Sequence, residues 1–271
     1  MATLLFYQNP VQLNTDRHRL AKLGNVNGDF GFSRETNSIP LAAVEFFEVA
    51  REYPIVFSGP EKGPLLPIAM VGIRQNENLY VGAGGQWEGR YVPAFVRRYP
   101  FVLAEGEADD FSVFLDESYP GFGAPEGERL FTDSSEYAPI LKQALEFLRT
   151  YQVETKRTRL FVERLLALNL LVPRVLEFAR PGDQPLVLKG FSVVDEARVN
   201  ELDDRELLEL ARRGFLTWVH AHLMSLSNLP VLGDRLTALI AAGVKGAAAS
   251  SAAAVPAAPA VDRAKVPKKK R

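Results

Sequence analysis

One phrase occurs twice in this chain. Ala50-Arg51-Glu52-Tyr53-Pro54-Ile55-Val56-Phe57 is answered further on by Val96-Arg97-Arg98-Tyr99-Pro100-Phe101-Val102-Leu103. In each copy a helix-like run meets Tyr-Pro, and three apolar residues suited to a strand follow. Proline disfavours the helical region for the residue before it, so helices should stop at Tyr53 and at Tyr99. The β-branched and aromatic residues beyond suit a pleated, buried surface. Two helix-stop-strand units imply a sheet with helices packed on it. They imply no reaction.

The rest of the chain fits that frame. Up to about residue 36 the pattern is irregular, with a turn-rich cluster at Asn25, Asn27, Gly28, Asp29 and Gly31. Alternation at Phe30 and Phe32 predicts a short strand there. Leu41 to Tyr53 reads as a helix, with Glu45, Glu48 and Glu52 on one face and Leu41, Val44, Phe47 and Ala50 on another. Pro54 to Phe57, Leu65 to Ile73 and Leu79 to Val81 read as strands. The glycines Gly82, Gly84 and Gly85 complete a hairpin better than they cradle a phosphate, since no Lys-Ser or Lys-Thr follows. A short helix over Arg90 to Tyr99 precedes strands at Phe101 to Leu103 and Phe111 to Leu115. Residues 117–133, rich in glycine and proline, form a long loop.

From Ser135 the periodicity turns helical, with one helix from Ser135 through Leu148 and a second over about Thr158 to Leu171. Strands at Val175 to Phe178 and Leu186 to Val194 are joined across Pro181-Gly182-Asp183. Asp195-Glu196 opens a helix. Asp203, with Glu206 three residues on, caps another, and Gly214 is its left-handed terminator. Helices at Phe215 to Leu229 and Arg235 to Ala242 close the folded part. Strands that come in hairpins argue for an α+β fold with a mixed, largely antiparallel sheet covered by helices. Residues 1–243 are expected to form a single domain, with any division into two lobes falling near 117–133.

Composition narrows the function classes. Seventeen Phe and eight Tyr can fill a core, and there is no cysteine, which removes disulfides, thiolate metal sites and cysteine nucleophiles. The opening run Leu4 to Tyr7 is too short for a signal core, and no stretch is long and apolar enough for a membrane helix. A soluble, cytoplasmic protein is expected. The net charge of −1 hides an asymmetry: from Lys245 onward seven bases meet one acid, a net +6, which leaves −7 for the rest. Residues 244–271, built of Ala, Ser, Pro and Val and ending in Lys268, Lys269, Lys270 and Arg271, have no bulky side chain to bury and read as a disordered basic tail. Such a tail allows a weak, salt-sensitive contact with nucleic acid or anionic lipid.

Few residues carry chemistry. His18 lies in a polar stretch and reads as a surface residue. His220 and His222 stand two apart on a helix, on nearly opposite faces, so they cannot chelate one metal together. In that apolar helix His222 reads first as a hydrogen-bonded core residue. The sharper alternative makes it an acid or base facing a pocket, partnered by a carboxylate such as Asp195 or Glu45. Trp87, Arg90, Tyr91, Arg97 and Arg98 mix cations and rings after a flexible glycine loop, a composition that binds peptides, sugars and anions. The bland alternative puts the two arginines on a solvated helix face. No metal site and no cofactor motif is expected.

Longer phrases carry a resemblance. Gly190-Phe191-Ser192-Val193-Val194-Asp195-Glu196 and Ala221-His222-Leu223-Met224-Ser225-Leu226-Ser227-Asn228, with Phe30-Gly31-Phe32, Ile39-Pro40-Leu41, Trp87, Arg90-Tyr91-Val92-Pro93 and both Tyr-Pro phrases, resemble the bacterial SapC-like family over roughly residues 10 to 240. The family's label implies a link to bacterial surface (S-layer) proteins and brings no agreed catalytic residues. A peptide-transport permease shares the label, but its activity needs membrane spans. The leading expectation is a non-catalytic accessory or binding protein serving surface-layer or envelope biogenesis, whose partner is another protein, a peptide or a glycan. The alternatives are an enzyme acting on peptide or sugar through His222 and a carboxylate, and a nucleic-acid- or membrane-associated factor acting through the tail.

Overall fold

Each Tyr-Pro pair stands between a helix and a strand, yet the two strands join different sheets. Ile55–Ser58 follows the first phrase and Phe101–Glu105 the second. The computed structural model describes residues 5–24, 28–60, 63–105, 111–178, 185–242 and 253–254. These fall into two compact units. The smaller takes the described parts of Met1–Asp29 and Arg97–Val153; the larger takes those of Phe30–Val96 and Glu154–Ala258.

The smaller unit is built on an antiparallel sheet of Pro10–Gln12, Phe111–Asp116 and Phe101–Glu105, in that order. A second ladder pairs Lys22–Leu23 with Glu128–Arg129. The alternation of Phe101, Leu103 and Leu115 turns one set of side chains toward Leu141, Leu145 and Leu148 of the long helix, and these form one buried cluster with Leu23, Leu130 and Phe131. Residues 117–133, expected to mark a division between lobes, lie inside this unit. Gly24 and Gly123 donate backbone hydrogen bonds across the segment to Gly121 and Lys22, at 2.8 Å each, which stitches it down.

The larger unit holds the main sheet. Ser38–Pro40, Leu66–Met70, Ile55–Ser58 and Leu186–Val194 lie side by side, all antiparallel, and Leu171–Phe178 pairs along the other edge of Leu186–Val194. The described pair Ala253–Ala254 adds a short parallel ladder to Leu188–Lys189 and makes the sheet mixed. The remaining residues of the expected tail, Lys268 to Arg271 among them, lie outside the described residues. Phe161 is the hub of the core, with ring centroids 5.3–6.3 Å from Trp218, Phe215, Phe46 and Phe57. The α+β class and the largely antiparallel sheet are therefore as the hairpin pattern implies.

Several local expectations need correction. Leu79–Val81 forms no strand beyond a single bridge from Val81 to Trp87, and the helix expected over Leu41–Tyr53 is confined to Ala43–Val49, with Val44 and Phe47 exposed and Glu45 buried. Phe30 precedes and Phe32 lies within a 3-10 turn at Gly31–Ser33, not a strand, because the Phe30 N–H bonds Gly85 and Ser33 folds back onto the Phe30 carbonyl. The helix expected from Ser135 begins at Pro139. Before it, residues 132–136 close a tight turn in which Ser135 is left-handed (φ 65°). And the two helices expected over 135–171 are one, Pro139–Ala167, 29 residues long. Residues 149–157 are polar on several faces, which broke the apolar stripe, but they contain neither proline nor glycine to stop a helix.

Candidate functional site

The smaller unit carries an open cleft of about 690 Å³. Three segments line it. The end of the second Tyr-Pro phrase supplies Arg97, Arg98 and Tyr99; the loop 119–128 supplies Tyr119, Glu126 and Glu128; and the first turns of the long helix supply Ile140, Gln143, Ala144 and Phe147. Leu23 and Phe101, both buried, give it an apolar floor.

Each side chain there has a physical reason for its place. Arg97 is exposed and lays its guanidinium over the Phe147 ring at 5.2 Å. Arg98 is buried, and its guanidinium carbon lies 5.5 Å from the Tyr151 ring and 5.9 Å from that of Tyr7. Tyr99 meets Tyr7 and Tyr119 edge to face, at 5.3 and 5.5 Å, and its hydroxyl points to Asp116. Burial and the Asp116 carboxylate push the Tyr99 phenol up to about 12, so it stays protonated. Behind it Asp116 is fully buried. Burial alone would raise its pKa, but hydrogen bonds from the Ser118 hydroxyl and from the N–H groups of Gln8, Ser118 and Asn9 outweigh that and hold it below its ordinary value. The glycines of the adjoining loop pack backbone on backbone: a Cβ on Gly121 would lie 2.2 Å from the Gly24 carbonyl, and one on Gly127 2.7 Å from the Gly24 nitrogen. Two residues without side chains are thus required for this side of the cleft to close.

The other sequence candidates belong to the larger unit. Glu45 is buried and accepts from the N–H groups of Ala42 and Ala94 and from the Tyr91 hydroxyl, at 3.0, 2.6 and 2.9 Å. Trp87 donates its indole N–H to the Tyr53 hydroxyl and the Tyr91 carbonyl, and Arg90 projects into solvent while its backbone N–H is held by Glu52. Asp195 caps the helix Glu196–Asn200 by accepting from the Ala197 N–H. His222 is fully buried against Phe57, with ring centroids 5.0 Å apart, whereas His220 is exposed.

The His222 ring is held through one of its two nitrogens, and the buried Nδ1 closes no hydrogen bond among the described residues. Nε2 accepts the Val194 N–H at 3.0 Å, so the imidazole proton sits on Nδ1. Burial, only partly offset by a backbone interaction with Ile55, lowers its pKa to about 4, and the ring is neutral. Asp195 lines a cavity of about 360 Å³ together with Leu223, whereas His222, Glu45 and Trp87 line neither that cavity nor the cleft. Among the described residues no three His, Asp or Glu side chains stand as a metal site needs them.

Compared with known families, the chain matches the SapC family across residues 13–232. The chain belongs to the SapC family. Comparison with curated proteins and with solved structures finds no match. The SapC match takes in every residue that lines the cleft, and Glu45, Asp195 and His222 besides.

Within this SapC-family chain one polar cluster escaped sequence reasoning. His18, expected at the surface, is 1% exposed. Asn14 caps the short helix Thr15–His18 and turns the imidazole inward, where Nδ1 meets the Asn14 backbone and Nε2 lies 3.2 Å from Glu117. Arg17 grips the same carboxylate through both guanidinium arms, and that pairing holds Glu117 below its ordinary pKa. The partner lies 99 positions away, so the sequence signal was limited to an Asn four residues before a His.

Proposed function

We propose that this SapC-family protein is a non-catalytic accessory protein that holds a ligand in the cleft beside Arg97, in the service of surface-layer or envelope biogenesis from the cytoplasm. The observation that carries the reading is how the reactive side chains are spent. His222 is engaged by the Val194 N–H, Glu45 by three donors and Asp195 by a helix N-terminus, so each serves the backbone. An acid or base must exchange protons with a substrate within hydrogen-bond reach, and a fully buried imidazole is poorly placed for that.

The cleft has the opposite character. It is open, of the size that ligand pockets take, and it sets charged side chains around an apolar floor. The link to the envelope rests on the family alone. Affinity capture with the full chain under mild salt should recover a defined partner, and alanine at both Arg97 and Glu128 should lose it while His222→Phe keeps it. Recovery of the same proteins by the wild type and the double variant would end this reading.

A further inference from the structure

Resting on the cleft as the binding surface, we propose that its ligand is an extended peptide in which an acidic and a basic side chain flank an apolar one. Three observations select this class. The first is charge of both signs in one lining, contributed by separate segments: Arg97 from the end of a helix, Glu126 and Glu128 from the loop. Two exposed carboxylates repel a polyanion, so nucleic acid and acidic lipid fit poorly, whereas a peptide with a carboxylate and an ammonium group meets a partner for each.

The second is the floor. Leu23, Phe101, Ile140 and Ala144 are buried or half-buried, and together they accept one aliphatic or aromatic side chain. The third is the state of the rings. A sugar binds by stacking on an open aromatic face, and here the faces are engaged: Phe147 lies under Arg97, and Tyr99 packs edge to face with Tyr7 and Tyr119. The Tyr99 hydroxyl is turned to Asp116. Glycan recognition therefore loses both its platform and one of its hydroxyl partners, while peptide recognition needs neither.

The test uses the full chain and blocked, fluorescently labelled peptides read by anisotropy: Gly-Asp-Leu-Lys-Gly against its uncharged counterpart Gly-Asn-Leu-Gln-Gly, with chitohexaose as competitor. The charged peptide should bind at least about tenfold tighter than the uncharged one and weaken several-fold as salt rises. Arg97→Glu and Glu128→Lys should each cost about tenfold, and Arg97→Lys, which keeps the charge, no more than about threefold. Both positions are exposed, and near-ultraviolet circular dichroism confirms that the variants fold. Equal affinity for the two peptides, or no binding at millimolar concentration, overturns the inference, as does displacement by chitohexaose without any peptide preference. If partner capture still depends on Arg97 and Glu128 in those cases, the cleft remains the binding surface and only the ligand class falls. If capture and peptide binding are both indifferent to the two residues, the cleft itself is wrong.

Discussion

At the scale of single residues, His222 has a measurable signature. Its value of about 4 lies below the ordinary 6.5, so between these pH values the unfolded chain takes up a proton that the folded chain refuses. Stability is full above pH 6.5 and falls as the pH drops toward 4, by about 3 kcal/mol in all. His222→Phe should flatten that slope in denaturant titrations and cost about 1–3 kcal/mol at neutral pH, because the buried Val194 N–H loses its acceptor. Asp116 behaves differently. Its pKa is depressed, so its contribution is present above the ordinary 3.8 and is lost as the pH falls through the folded value. Asp116→Asn should cost about 1–3 kcal/mol at neutral pH and remove the acid-side loss. The core placement of His222 was legible from the apolar residues around it. The burial of His18 was not, since its cause is a carboxylate far along the chain.

At the scale of elements, local signals carried far and long-range pairing did not. The Asp203 cap and the Gly214 terminator depend on neighbours a few residues away and stand where the sequence puts them, whereas the helices before Tyr53 and Tyr99 already end at Val49 and Arg97. The long helix was misread as two because periodicity reports which face is buried, and the buried face changes along it. Its first half packs in the smaller unit through Leu141, Leu145 and Leu148, and its second half in the larger through Phe161 and Leu165. Thr158 on that second half donates to the Glu154 carbonyl and accepts the Ala43 N–H at 2.8 Å, fully buried. Thr158→Val keeps the shape and removes the acceptor, so a loss of about 1–3 kcal/mol is expected, with faster amide exchange at Ala43. In the smaller unit, Gly121→Ala forces a Cβ into the Gly24 carbonyl. It should lower the melting temperature and weaken ligand binding at the cleft together, where Arg97→Glu weakens binding alone.

At the scale of the whole molecule, the α+β class was readable because hairpin-spaced strands and capped helices are local patterns. The interleaving was not: the ladder that joins Ser192 to Phe57 leaves no periodic mark in either segment. The same interleaving split the Trp87-to-Arg98 phrase, which places Trp87, Arg90 and Tyr91 in one unit and Arg97 and Arg98 in the other. It also sets a timetable for synthesis. A ribosome that has made residue 153 has delivered every described residue of the smaller unit, while the larger still lacks Leu171–Phe178, Leu186–Val194 and the helix that brings His222 to Val194. Residues 30–96 must therefore wait, partly paired, for the last third of the chain, and a nascent protein stalled there should offer chaperones the apolar edge that Leu186–Val194 later covers.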